Sequence, residues 1–242
     1  MLSDTAYHLI LSILQAFMWD GVLIGEENLK DGAGVIVSNH MGAIGPVGLC
    51  IALPMRLYPW VDGATVDKVK GPENVRQDFV EKVLHIGPPL SETISQTICM
   101  LSTPLLLSVG CIPVPEDRSE QEAMFQTSIS LLKQGKYLLV APENPKAEPN
   151  PLTGITRFKR GFLRLGELYY QQTGDCLPFY PVMIQESGVV RVSRAVFYNT
   201  HNDAHQERLR MATLLEETIK RMYIEATEEQ AAESFLFKHR LS

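Results

Sequence analysis

The sequence predicts an α/β fold, a mixed-direction sheet flanked by helices, with an N-terminal apolar helix. Three observations predict it. Short apolar or β-branched runs such as Val35–Val37 and Tyr137–Ala141 alternate with segments of helical periodicity, of which Phe125, Ile129 and Leu132 mark the clearest. The chain has 242 residues, 45% of them hydrophobic, enough to bury one large core, and no repeat or low-complexity tract interrupts it. The opening residues form an apolar stretch of their own, which divides the chain into an N-terminal helix over 1–20 and an α/β domain over 21–242.

In the opening stretch Ala6, Leu9, Ile10, Ile13, Leu14 and Phe17 keep helical spacing, and Asp4, His8, Ser12 and Gln15 form a narrow polar stripe. It falls short of the ~20 residues needed to cross a bilayer. Two readings stay open: a helix packed on the sheet, or an interfacial anchor with Trp19 at the headgroup level. Val22–Ile24 and Val35–Val37 read as strands separated by the polar turn Glu26–Gly34. Leu53 to Asp78, broken by Pro54, Pro59, Gly63, Gly71 and Pro72, reads as loop with short elements.

Ser91–Val109 reads as a helix interrupted or bent at Pro104 and closed by Gly110, ahead of a strand at Ile112–Val114. Ser119 and Glu122 form a capping box for the helix that stops at Gly135. The strand Tyr137–Ala141 runs into Pro142-Glu143, which sets that carboxylate at a strand's C-terminal end, where α/β sheets favour ligands. A helix over Phe158–Gln172 ends at Gly174, and strands cover Leu177–Ile184 and Val189–Tyr198. The last helix begins near Asn202 or Asp203 and presents Met211, Leu214, Leu215, Ile219 and Met222 on one side.

A net charge of −6 disfavours a general nucleic-acid binder, which needs a basic excess to displace counterions. Cys50, Cys99, Cys111 and Cys176 lack CxxC spacing and lie in apolar or mixed surroundings, as buried free thiols in a reducing compartment do. No basic segment precedes a cleavable apolar stretch, so the expected location is cytoplasmic, at the periphery of a membrane. His201 and His205 have a spacing that can bind zinc, but Asp203 suits a helix N-cap and no third ligand stands nearby, so no metal is expected.

A histidine that ends an apolar strand, as His40 does, is either a hydrogen-bonded core group or part of a site. Four ordered elements favour the site: Val35-Ile36-Val37-Ser38-Asn39-His40, Gly110-Cys111-Ile112-Pro113-Val114, Val140-Ala141-Pro142-Glu143 and Leu177-Pro178-Phe179-Tyr180-Pro181-Val182. With the lead-in Gly25-Glu26-Glu27-Asn28-Leu29 and the segment Phe158-Lys159-Arg160-Gly161, the set resembles the glycerol-3-phosphate and lysophosphatidic acid acyltransferase family from about Gly21 to Tyr198. The resemblance implies that His40 is a general base for attack of a lipid acceptor on an acyl-CoA or acyl-carrier-protein thioester at a membrane surface. It implies no metal or redox cofactor, since the thioester is already activated.

The sequence departs from the family pattern at three places. The Asp that follows the histidine by five positions in the family is Gly45 here, which leaves three outcomes: another carboxylate, Glu143, Asp62 or Asp67, orients the imidazole, a backbone carbonyl does, or transfer is lost and lipid binding kept. Arg118, a candidate for the acceptor phosphate, is displaced by about two residues from the family register. Glu143 is kept, but Asn144, Pro145 and Lys146 follow it, and Lys146 offers a point charge in place of arginine's fork. The implied substrate-binding set is therefore Arg118, Glu143 and Lys146, with an acceptor other than glycerol phosphate left open. Arg157, Lys159, Arg160 and Arg164 face either anionic lipid, pantetheine phosphates or solvent. The rival to an enzyme is a non-catalytic lipid-binding protein that keeps the fold.

Overall fold

Residues 2–18, 20–41, 44–82, 84–117 and 119–240 are described by the computed structural model; Trp19, Ala43 and Arg118 lie outside them. All five residues of β2 (Gly34–Ser38) are buried, because this strand is central to an eight-stranded sheet. The order is β1-β7-β6-β2-β5-β3-β4, with β8 also paired to β6. On either side of β2 lie β5 (Tyr137–Val140) and β6 (Pro178–Ile184), both parallel to it. Strands β7 (Val189–Val192) and β8 (Val196–Phe197) run antiparallel to β6, and β1 (Val22–Ile24) runs parallel to β7. The sheet is of mixed direction, as the alternation of elements predicts.

Side chains that alternate along these strands supply two cores, one on each face. Val35, Val37, Leu138, Val140 and Phe179 pack with α6 (Gln121–Lys133), α7 (Arg164–Thr173) and α8 (Ala204–Arg240). Ile36, Leu139, Tyr180 and Val182 pack on the opposite face with α2 (Ile44–Ala52) and with Leu11 of α1 (Asp4–Met18). Met211, Leu215, Ile219 and Met222 of α8 are buried as their spacing predicts, whereas Leu214 is 39% exposed.

Helix α1 is anchored at its first half. Tyr7 is 2% exposed, and its hydroxyl accepts the Leu57 amide hydrogen at 3.4 Å. Arg56 pairs with Asp4 at 2.7 Å, donates to the carbonyls of Leu2 and Val109, and lies over the rings of Tyr7 and Tyr58. Leu9, Ile10 and Ile13 remain exposed on the outer side.

Several elements differ from the sequence reading. The loop-rich stretch contains β3 (Leu57–Asp62), whose Pro59 falls where the strand changes partner. Leu57–Pro59 pair with β5, and Trp60–Asp62 pair with β4 (Ile112–Val114). Proline has no N–H to give a ladder, and it sits here at the last residue paired with β5, before β4 takes over. Helix α3 (Gly63–Val66), helix α4 (Lys70–Val75) and a π-helical turn at Arg76–Glu81 follow. Helix α2 has no counterpart in the sequence reading; its Pro46 lies in the first turn, where the missing N–H has no intrahelical partner to lose.

Helix α5 (Leu90–Val109) runs through Pro104 without a break, and Gly110, at φ 97°, closes it as expected. The expected capping box is not formed: α6 starts at Gln121, and the Ser119 amide donates to Asp117 Oδ1 at 2.9 Å instead. The helix expected from Phe158 starts at Arg164 after a 3-10 turn at Gly161–Leu163. Phe158 is held extended by a bridge to Glu143 and by Glu216 of α8, which accepts its amide hydrogen at 2.8 Å. The single strand expected over Val189–Tyr198 is two, and the break falls opposite Pro181, whose carbonyl accepts from the Ser193 amide at 2.9 Å. All four cysteines are free; Cys50, Cys99 and Cys111 are buried, but Cys176 is exposed.

Candidate active site

The C-terminal ends of β2, β5 and β6 lie at one edge of the sheet, because the three strands are parallel. One residue past β2, the Asn39 side chain extends the ladder to β6. Its Nδ2 donates to the Ile184 carbonyl at 2.9 Å, and its Oδ1 accepts the Ile184 amide hydrogen at 3.0 Å. Asn39 is buried by this exchange, which satisfies it as a peptide group would be. His40 comes next and is exposed.

Beyond β5, Glu143 turns back toward the same edge. Its Oε1 accepts the His40 amide hydrogen at 2.6 Å, and its Oε2 accepts from the Thr156 amide at 2.8 Å and the Thr156 hydroxyl at 3.1 Å. The carboxylate thus ties three chain segments together through charge-assisted bonds. Around it lies a cleft of about 340 Å³ lined by Asn39, His40, Met41, Glu143, Thr153–Ile155, Glu186 and Tyr223.

None of the three carboxylates considered for the imidazole reaches it. Both oxygens of Glu143 are engaged with the backbone and Thr156. Asp62 caps α3 by accepting from the Ala64 amide at 2.9 Å. Asp67 accepts the amide hydrogens of Val69 and Lys70, each at 2.8 Å, and those bonds hold its carboxyl below the usual range. Asp67 belongs to a second cleft of about 370 Å³, beyond β3 and β4, where Lys70 pairs with Glu116 at 2.8 Å. Among the described residues the imidazole makes no side-chain hydrogen bond; the bond to His40 is to its backbone.

Gly45 lies in the first turn of α2, where its amide donates to the Met41 carbonyl at 3.1 Å. Its φ is not positive, and Pro46 does not force it to be extended. A Cβ there would come within 3.0 Å of Met41 Cβ.

Lys146 is exposed in a turn after Glu143 and does not line the cleft. Its turn follows the segment Pro142–Asn144, which is paired with the segment of Arg157 and Lys159 by Asn144 N–H to Arg157 O at 3.0 Å and Lys159 N–H to Pro142 O at 2.8 Å. Among the described residues these three cations form no ion pair, whereas Arg164 pairs with Glu122 at 3.1 Å. Asp203 caps α8, accepting the amide hydrogens of His205 and Gln206 at 3.1 and 3.0 Å. The sequence reading missed Glu186 and Tyr223, which carry no local motif and reach the cleft only through the pairing of β6 with β2 and the packing of α8 on β6.

The arrangement of strands and helices recurs in a solved structure. The crystal structure of the 1-acyl-sn-glycerophosphate (LPA) acyltransferase PlsC from Thermotoga maritima matches this chain with a TM-score of 0.52 and 16% identity. The match covers 93% of this chain and 84% of that one, so the likeness of fold extends over nearly the whole molecule. No protein-family model and no curated protein sequence matches the chain.

Proposed function

We propose that the chain is an acyltransferase that moves a fatty acyl group from an acyl-CoA or acyl-carrier-protein thioester to a lipid acceptor, of glycerolipid type or another, with His40 as general base. The observation that carries this reading is the meeting of His40 and Glu143, 103 residues apart in sequence, in one cleft of a fold shared with an LPA acyltransferase. Imidazole takes the proton of the acceptor hydroxyl as its oxygen attacks the thioester carbonyl carbon. The tetrahedral intermediate then collapses, the C–S bond breaks, and the imidazolium returns the proton to the leaving thiolate. Lys146, outside the cleft lining in the turn after Glu143, and Arg118 supply positive charge for the phosphate of an acceptor that extends beyond the cleft.

Contact with the membrane is peripheral in this reading. No described helix is long and apolar enough to cross a bilayer. Leu9, Ile10 and Ile13 give α1 an exposed apolar side. Gly21, three residues past α1, packs on the turn that carries Glu186: its Cα lies 2.9 Å from where a side chain at Gly188 would begin.

A second reading, a lipid-binding protein that has lost transfer, is favoured by Gly45 and by the absence, among the described residues, of a carboxylate on the imidazole. Thioester cleavage measured over a panel of lyso-lipid and amine acceptors separates the two. Transfer by the wild type that disappears in His40→Ala supports the enzyme. Binding of lyso-lipid with no transfer above the His40→Ala background supports the binding protein.

A further inference from the structure

We propose that Glu186, in the turn between β6 and β7, is the positioning carboxylate for His40, in the role that Gly45, without a side chain, leaves unfilled. The inference rests on the acyl-transfer reading for its function but not for its geometry. Glu186 and His40 line the same cleft, and Glu186 is exposed to it with no hydrogen bond or ion pair among the described residues. The cleft's other carboxylate, Glu143, already accepts three hydrogen bonds.

The segments that carry the two residues are locked to each other. Asn39, immediately before His40, exchanges two hydrogen bonds with Ile184, two residues before Glu186. On either side of Glu186 the turn is pinned to α8. Gln185, 5% exposed, donates to the Tyr223 carbonyl at 3.1 Å and to Thr227 Oγ1 at 2.9 Å. Gln230 donates to Gln185 Oε1 at 3.1 Å and to Ser187 Oγ at 2.7 Å. A turn held this firmly limits the Glu186 carboxylate to the positions its own rotamers reach, and these open on the cleft that His40 also lines. Accepting the hydrogen of one imidazole nitrogen, Glu186 fixes the tautomer and leaves the lone pair of the other nitrogen toward the acceptor hydroxyl.

The test compares wild type, Glu186→Gln and Glu186→Asp in nitrogen-15 histidine spectra, with the His40 signals assigned by their loss in His40→Ala. The expected result is a change in the tautomer-sensitive His40 shifts in Glu186→Gln, partly restored in Glu186→Asp, with the other five histidines unmoved. In parallel, kcat for acyl transfer falls about tenfold to a hundredfold in Glu186→Gln while KM changes less than twofold, in line with loss of an oriented base. His40 signals that are the same in wild type and Glu186→Gln overturn the proposal, as does an unchanged kcat. A wild type with no transfer above His40→Ala overturns the acyl-transfer reading instead, and the histidine spectrum then decides the pairing alone.

Discussion

Glu143→Ala should lower stability measurably, because the Glu143 side chain ties the end of β2 to the segments after β5 and around Thr156. Its carboxylate accepts from the His40 amide, the Thr156 amide and the Thr156 hydroxyl. Hydrogen bonds to a charged group contribute about 1.5–3 kcal/mol each. His40 is exposed and Thr156 half-buried, so water replaces part of what is lost, and the discounted sum is about 2–4 kcal/mol. In a domain of this size 1 kcal/mol shifts Tm by about 2–4 °C, which puts Glu143→Ala about 9 °C below wild type at the middle of both ranges. Glu143→Gln is the sharper variant. Its amide presents one acceptor and one donor where the structure needs two acceptors, so it should lose at least half as much. Thermal melts followed by circular dichroism measure both. A Glu143→Gln protein that melts with wild type, or a Glu143→Ala protein within 2 °C of it, would refute the assignment of a structural tie to this carboxylate.

Three further outcomes follow from the geometry. Gly45→Asp should fold, at a cost of about 1–3 kcal/mol for the tight approach to Met41, and should restore part of the transfer rate lost in Glu186→Gln; no restoration in a folded double variant would show that position 45 cannot serve the ring. Glu207 is fully buried, and the Arg210 guanidinium beside it holds its carboxyl at about 2, below its ordinary 4.5. Because the folded value is the lower one, the stability this gives, on the order of 2 kcal/mol after screening at the half-exposed Arg210, is complete above about pH 4.5 and is lost as pH falls toward 2. Urea midpoints of wild type and Glu207→Gln should therefore converge below pH 4. Finally, Leu9→Glu with Ile13→Glu should reduce sedimentation with liposomes while leaving the melting temperature within about 2 °C, since both side chains point to solvent. Removal of residues 1–20 tests this less cleanly, because it also takes away Tyr7 and the Asp4 partner of Arg56.

Features that depend on neighbours along the chain were legible before any fold was known. The apolar runs at Val35–Val37 and Tyr137–Val140 are strands, the 3.6-residue spacing of Met211, Leu215 and Ile219 is a buried helix face, and His40 and Glu143 lie just past strand ends. Glycine stops at Gly110 and Gly174 were legible for the same reason, since a positive φ is a property of one residue. Local signals misled where a distant partner outbid them. Pro59 argued against a strand, yet β5 and β4 each take half of β3; Ser119 had a capping pattern, yet Asp117 claims its amide; and Phe158 had helical spacing, yet Glu216 and Glu143 hold it extended. The site was legible to the same extent and no further. Tertiary packing alone set Glu143 on the backbone of His40 and not on its ring, gave Asp62 and Asp67 to other turns, and brought Glu186 to the cleft. Those outcomes depend on hydrogen bonds that join residues 103 and 145 positions apart, and a contact of that length is set by how strands pair and helices pack, which no local pattern carries.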